Sequence, residues 1–302
     1  MPLSATIIIN ASAGTQDKPE ISQHLAESFA AHGFEVRIRV AANGGEIAGL
    51  ARQARLDESR IVVVAGGDGT INAVASALVG TDKVLGVIPR GTFNYFARNL
   101  KIPLDLEGAV RTIVEGHVVA INVGEVNSRP FLNNSSVGIY PSILKQREKS
   151  YRRYGRSRLA GYLSAALTIL RRSHFLRVRL SADDKEMACR TPLIFVGNND
   201  YQLEYFNLGG SECLKAGELS LLIIRAVGRL EMFWLALRTL CGFLQSAKDL
   251  RVICAEDVWV ETHRDHLQVA IDGEVVLLET PLHFRVLPRA LRVIVPIATD
   301  SE

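Results

Sequence analysis

Gly66-Gly67-Asp68-Gly69-Thr70 follows the apolar run Ile61 to Ala65, and Gly91-Thr92-Phe93-Asn94 follows a second run, Val84 to Pro89. Each turn leads into a helix-like segment. Glycine has no Cβ, so it tolerates positive φ and lets a ligand come close to the main chain. Successive N–H groups in such a turn make an anion-binding concavity, and the following helix adds the positive end of its dipole. Two such turns close together in sequence suit a polyphosphate, and hence a nucleotide. Asp68 would repel that anion unless a magnesium ion, directly or through water, stood between them. The plainer alternatives are a tight strand-to-helix turn with an Asp cap and, at the second turn, a helix capped by Asn94.

No GxxxxGK[ST] occurs in the chain, and no GxGxxG follows the first strand, so ordinary P-loop and Rossmann sites are set aside. A third feature lies far downstream at Ile271-Asp272-Gly273-Glu274. Asp-Gly is a common hairpin turn. Phosphoryl transfer to an alcohol also needs a carboxylate to accept the hydroxyl proton, and Asp272 or Glu274 offers one.

The elements that must position these residues fall into two patterns. Thr6 to Asn10, Glu35 to Val40, Ile61 to Ala65 and Val84 to Ile88 read as strands. They alternate with helical spacing over 19–32, 46–56, 71–78, 95–100 and 105–115. Repeated βα units argue for a parallel sheet with helices on both sides. After about residue 120, short strand-like pieces dominate: 120–126, 131–137, 176–181, 192–197, 219–225, 251–254, 258–262, 267–271 and 282–286. Helices are expected over 158–172 and 230–245, and a final strand over Leu291 to Val295. The expected division is a nucleotide-binding α/β domain over 1–122 and a mostly antiparallel β domain over 123–287. The site is expected in the cleft between domains, a common place for ligands.

The 302 residues are nearly half apolar, enough for a sizeable core, and a net charge of +3 does not by itself indicate a nucleic-acid partner. The basic charge is concentrated in Lys145, Arg147, Lys149, Arg152, Arg153, Arg156 and Arg158. Such a stretch is either a solvated surface or one that meets anionic lipid, at about 1 kcal/mol per basic residue. The four cysteines show no metal-binding spacing and read as buried thiols in a reducing compartment. The N-terminus reads as a strand and not as a signal peptide. The longest apolar stretches, Leu159 to Leu170 and Phe233 to Leu244, fall short of the ~20 residues of a membrane span. The expected setting is cytoplasmic, with peripheral contact at the inner membrane face, and a free strand edge in the second domain allows a homodimer.

Taken together, the chain resembles the diacylglycerol kinase catalytic-domain family, which includes bacterial lipid kinases and sphingosine kinases. The resemblance rests on Gly66 to Asn72, on Pro89-Arg90-Gly91-Thr92-Phe93-Asn94-Tyr95-Phe96-Ala97-Arg98, and on Asp272-Gly273-Glu274 before Pro288-Arg289-Ala290-Leu291. Tyr154 to Tyr162 adds support. It implies an N-terminal domain related to NAD kinase and phosphofructokinase, to which 288–302 returns with the last strand, a C-terminal antiparallel β-sandwich, and ATP with Mg2+ as cofactors. By the same resemblance, Asn10, Gly66, Gly67, Asp68, Gly69, Thr70, Asn72, Gly91, Thr92 and Asn94 bind the nucleotide, and Asp68 organises the metal. The general base is Glu274 or Asp272, with Glu274 preferred.

Four positions depart from the family pattern: Ala11 stands for Pro, Ala41 for Thr, Phe93 for Gly, and Ala216 for the Asp of a structural-magnesium segment. The implied activity is transfer of the γ-phosphate of ATP to a hydroxyl of a diacylglycerol-like lipid at the membrane surface. An NAD kinase-like enzyme and an inactive nucleotide- or lipid-binding regulator are the alternatives.

Overall fold

Val62, Val63, Val64 and Ala65 are all fully buried, as a strand covered on both faces requires. The computed structural model describes residues 3–11, 18–154, 175–183, 185–224 and 250–297. Its packing divides the chain into two compact units, Met1–Val123 with Leu287–Glu302, and Gly124–Val286.

The first unit runs β1 (Leu3–Asn10), α1 (Lys18–Ala30), β2 (Phe34–Ala41), α2 (Gly44–Leu56), β3 (Ile61–Gly66), α3 (Asp68–Leu78), β4 (Val84–Pro89), α4 (Tyr95–Asn99) and α5 (Leu106–Glu115). The strands lie in the order β2-β1-β3-β4 and all pair in parallel; the last strand of the chain joins β4, also in parallel, through Arg292↔Val84 and Val293↔Leu85. Ile21, Leu25 and Phe29 of α1 and Ala109, Val110 and Ile113 of α5 pack with Ile7, Ile9, Val63 and Ala65. Alternation turns Ile8, Val62 and Val64 to the other face. Helix starts are set by side-chain oxygens: Asn43 accepts from the Gly45 amide and Asp105 from that of Gly108.

The second unit is antiparallel. It contains the end of β5 (His117–Val126), β6 (Arg129–Phe131), β7 (Asn134–Gly138), α6 (Ile139–Tyr154), β8 (Leu176–Ala182), β9 (Lys185–Thr191), β10 (Leu193–Gly197), β11 (Leu219–Ile224), β12 (Leu250–Ala255), β13 (Asp257–Thr262), β14 (His266–Ile271), β15 (Glu274–Glu279) and the start of β16 (Leu282–Val295). One sheet has the order β12-β11-β10-β7-β14-β15; the other is β9-β8-β13 with the first residues of β16. Phe131, Val137, Leu180, Val196, Leu221, Val258, Val269 and Phe284 share one core, which makes the unit a sandwich.

Several sequence expectations change. The run 131–137 is not one strand; it breaks at Leu132 and Asn133, whose amides turn to the carboxylate of Asp272. Strand β9 and helix α6 escape the apolar pattern because β9 alternates with exposed charge and α6 is mostly polar after Leu144. Cys213 and Cys254 form a disulfide rather than standing as two thiols, because the short helix Ser211–Lys215 packs on β11 and β12 and brings their Cα atoms to 5.0 Å. Cys189 is a free thiol whose pKa burial pushes up. The expected helices over 158–172 and 230–245, and the side chains of the basic stretch beyond Lys145, lie outside the described residues. Among the described residues, no helix is long and apolar enough to cross a membrane.

Candidate functional site

Gly66 ends β3 and Gly67 caps α3, so Asp68, Gly69 and Thr70 form the first turn of that helix. The helix begins three residues earlier than its apolar spacing suggests. The leading amides of a helix have no intrahelical acceptor, which makes them anion donors. None of Gly66, Gly67, Gly69 and Gly91 adopts positive φ. At Gly66 and Gly91, glycine is required for close approach instead, and at Gly67 a Cβ would be tight, 3.2 Å from the Cα of Gly91. A Cβ on Gly91 would lie 2.7 Å from the Cα of Gly67, and one on Gly66 would lie 2.6 Å from the Cβ of Thr70. The two turns therefore touch main chain to main chain, and the Arg90 amide donates to the Gly66 carbonyl at 2.8 Å. Gly69 faces open space.

The side chains around these turns are locked to one another. Asn10, at the end of β1, donates from Nδ2 to Thr70 Oγ1 at 2.8 Å. Asn94 is not a conventional cap. It sits at φ 52°, and its Oδ1 accepts from the Gly91 amide at 2.8 Å while Nδ2 donates to the Gly91 carbonyl at 3.1 Å, closing the second turn on itself. The start of α4 is served instead by Asp68, whose Oδ1 accepts from the Phe96 amide at 3.2 Å. Burial raises the Asp68 pKa above the usual carboxylate range, despite hydrogen bonds from the amides of Phe96, Asn94, Asp68 itself and Tyr95. The Oδ1 of Asn72 is buried without a hydrogen-bond partner. Thr92 and Phe93 are exposed, and the Phe93 ring stacks on Tyr95 with centroids 5.3 Å apart.

Replacing Gly91 with Ala is expected to force the turns apart and cost about 1–3 kcal/mol, the range for overpacking a filled site. Urea unfolding with intrinsic fluorescence would measure it; a midpoint equal to that of the parent would contradict the contact.

Asp272 and Glu274 belong to the other unit. Asp272 (φ 44°) and Gly273 (φ 90°) make a two-residue hairpin between β14 and β15, both left-handed, as a type I′ turn requires. The Asp272 carboxylate accepts from Leu132 (2.7 Å), Asn133 (2.9 Å) and Asn134 (2.9 Å). Asn134 donates to Gln202 and Asn199 to Asn133, and Asn198 bonds both Leu132 and Asn133, so a polar network supports the seat of the turn. Sequence reasoning missed this network. Its only signal was the repeated asparagines at 133–134 and 198–199. Glu274 opens β15 opposite Ile271 with an exposed side chain.

The two acids thus differ in kind. One is a structural acceptor for three amides; the other is presented to solvent. Asp272→Asn is expected to remove an acceptor from that seat and cost about 1–3 kcal/mol, read as a lowered thermal midpoint.

Magnesium takes oxygen ligands and keeps much of its water. Among the described residues, no three acid, histidine or cysteine side chains cluster to hold a metal. A magnesium ion at the first turn would therefore have Asp68 and phosphate oxygens as ligands, which fits its habits. The glycine contacts fit a phosphate tail at that helix start, whereas the orphaned Asn72 oxygen, an acceptor, fits a water or the metal.

Residues 4–126 match the family model of the diacylglycerol kinase catalytic domain, and residues 141–295 match that of the YegS C-terminal NAD kinase beta sandwich-like domain. The chain is 26% identical over 278 residues to a diacylglycerol kinase of Staphylococcus epidermidis, covering 89% of this chain and 85% of that one. It is 34% identical over 136 residues to a diacylglycerol kinase of Staphylococcus carnosus, 44% of each chain. A YegS-like lipid kinase of Yersinia enterocolitica is 32% identical over 142 residues, 46% of this chain and 47% of the other. A crystal structure of a diacylglycerol kinase from Bacillus anthracis superposes with a TM-score of 0.74 at 22% identity over 97% of both chains, a likeness of fold.

Proposed function

The chain belongs to the diacylglycerol kinase catalytic-domain family of lipid phosphotransferases, and from that premise we propose that it transfers the γ-phosphate of ATP to a hydroxyl of a diacylglycerol-like lipid at a membrane surface. The observation that carries the nucleotide reading is the main-chain contact of Gly67 with Gly91 beside the start of α3. The close approach of the two turns keeps the amides of 67, 69 and 70 within reach of phosphate oxygens, while that of Asp68 turns to its own carboxylate. Thr70, held by Asn10, and Asn72, with its unpartnered oxygen, complete the polar lining. A phosphate oxygen does not donate to Asn72 Oδ1, so that atom is read as an acceptor for water or as a ligand beside the metal.

In this reading Asp68 holds the magnesium side of the phosphates. Magnesium held there would neutralise charge on the phosphates. The residues themselves position and polarise: the α3 amides bind the tail, and Asp68 fixes the start of α4 against the phosphate turn. Glu274 is the proton acceptor for the lipid hydroxyl. Its side chain is presented to solvent, whereas the lone pairs of Asp272 are taken by three amides.

Magnesium-ATP with mixed micelles of detergent and diacylglycerol should yield phosphatidate, detected by mass spectrometry. A panel of neutral lipids bearing a free hydroxyl would define the acceptor. No phosphorylated product from any of them would overturn the assignment.

A further inference from the structure

The second unit carries a set of cations that this reaction does not use. In the β8–β9 ladder Arg177 lies directly opposite Arg190, and both are exposed. Like charges directly opposite in a sheet are destabilising. One pair along, the pattern is ordinary: Arg179 on β8 faces Glu261 on β13. Where β13 ends, Thr262 pairs with Val178, and the chain continues into His263 and Arg264, both exposed. Arg177, Arg190, Thr262, His263 and Arg264, with Phe175 and Leu176, line a groove of about 220 Å³. The guanidinium of Arg190 lies 4.5 Å from the Phe175 ring centroid, so the ring steadies its planar fork. Among the described residues, the ion pairs of the molecule are made elsewhere, and no carboxylate pairs with Arg177, Arg190 or Arg264.

We propose that this groove is a binding site for a phosphate ester anion, gripped by the guanidinium groups of Arg177 and Arg190 with Arg264 at its rim. Guanidinium forks match phosphate oxygens in pairs, which a solvated lysine surface does not do. The groove holds the volume of several waters, at roughly 30 Å³ each, enough for a phosphate and part of its ester. The same chemistry is offered by the headgroup of an anionic phospholipid and by soluble phosphate. The inference stands on the second unit alone and does not rest on the proposed reaction.

The test uses the full chain without ATP and three probes: inorganic phosphate, phosphatidylcholine vesicles, and phosphatidylcholine vesicles containing phosphatidate. Parent protein should sediment with phosphatidate vesicles and not with phosphatidylcholine alone. Arg177→Gln combined with Arg190→Gln should weaken that binding about 30-fold, from two basic residues at about 1 kcal/mol each. Relief of the opposed charges should leave the thermal midpoint of the double variant no lower than the parent's, while inorganic phosphate should raise only the parent's. Stabilisation by phosphate without vesicle binding assigns the site to a soluble ligand. Equal behaviour of parent and double variant toward both probes overturns the proposal, as does equal behaviour of Arg264→Gln should the double variant fail to fold.

Discussion

Asp68→Asn is expected to lower phosphate transfer by roughly 10²–10³-fold, the scale of removing one part of a preorganised electrostatic site, because the carboxylate that would hold the magnesium is lost, while the protein stays folded. The competing expectation is that Asp68 matters only because it caps α4, through the Phe96 amide. The two are separable. Asparagine keeps one acceptor oxygen for that amide and loses a charge that burial disfavours. Lost hydrogen bonds and relieved desolvation oppose each other, each on the order of 1 kcal/mol, so the net stability change is small. A thousandfold loss of turnover with an unchanged urea midpoint supports the charge; parallel losses of both would reduce Asp68 to a cap.

The same residue gives a pH dependence whose sign is fixed. The folded-state pKa of Asp68 is raised and the unfolded one is ordinary. Between those two values the folded protein binds the additional proton, so this carboxyl favours folding at low pH and its contribution is lost as pH rises through the folded value. The difference in thermal midpoint between Asp68→Asn and parent should therefore grow in favour of the variant as pH rises across that window, in magnesium-free buffer. A difference that is flat with pH would contradict the burial argument.

Glu274→Gln is expected to reduce turnover roughly 10²–10⁴-fold, the usual worth of a positioned general base, with ATP binding and stability unchanged because its side chain is exposed. Asp272→Asn should show the reverse balance, losing stability first, since three amides converge on that carboxylate. Kinetics under saturating ATP, with unfolding curves for both variants, would decide. Full turnover in Glu274→Gln would exclude it as the base and return the role to another group.

Much of this was legible in the sequence. Buried strands such as Ile61 to Ala65 announce a parallel sheet because only a two-sided core makes a continuous apolar run, and the alternation of Leu176 to Leu180 announces a one-sided sheet. The two glycine turns were legible as types and spacing, but the reason for their glycines was not. Sequence suggests backbone freedom; the structure shows crowding between segments 24 residues apart, Gly67 and Gly91. Asp68 as the acceptor at the start of α4 and Asp272 as the seat of its own hairpin were equally hidden, because each depends on amides remote in the chain. Polar segments such as β9 escaped because their charges mask the strand period. Cys213 and Cys254, which read as separate thiols, pair only once the sheet edge is built.

The tight meeting of Gly67 and Gly91 has an evolutionary corollary. A methyl group at position 91 requires the opposing main chain to retreat, and no change at 67 can compensate, since that residue already lacks a side chain. Saturating codon 91 in a selection for function should therefore recover glycine alone, and second-site suppressors, if any arise, should map to the segments that let a loop slide rather than to codon 67.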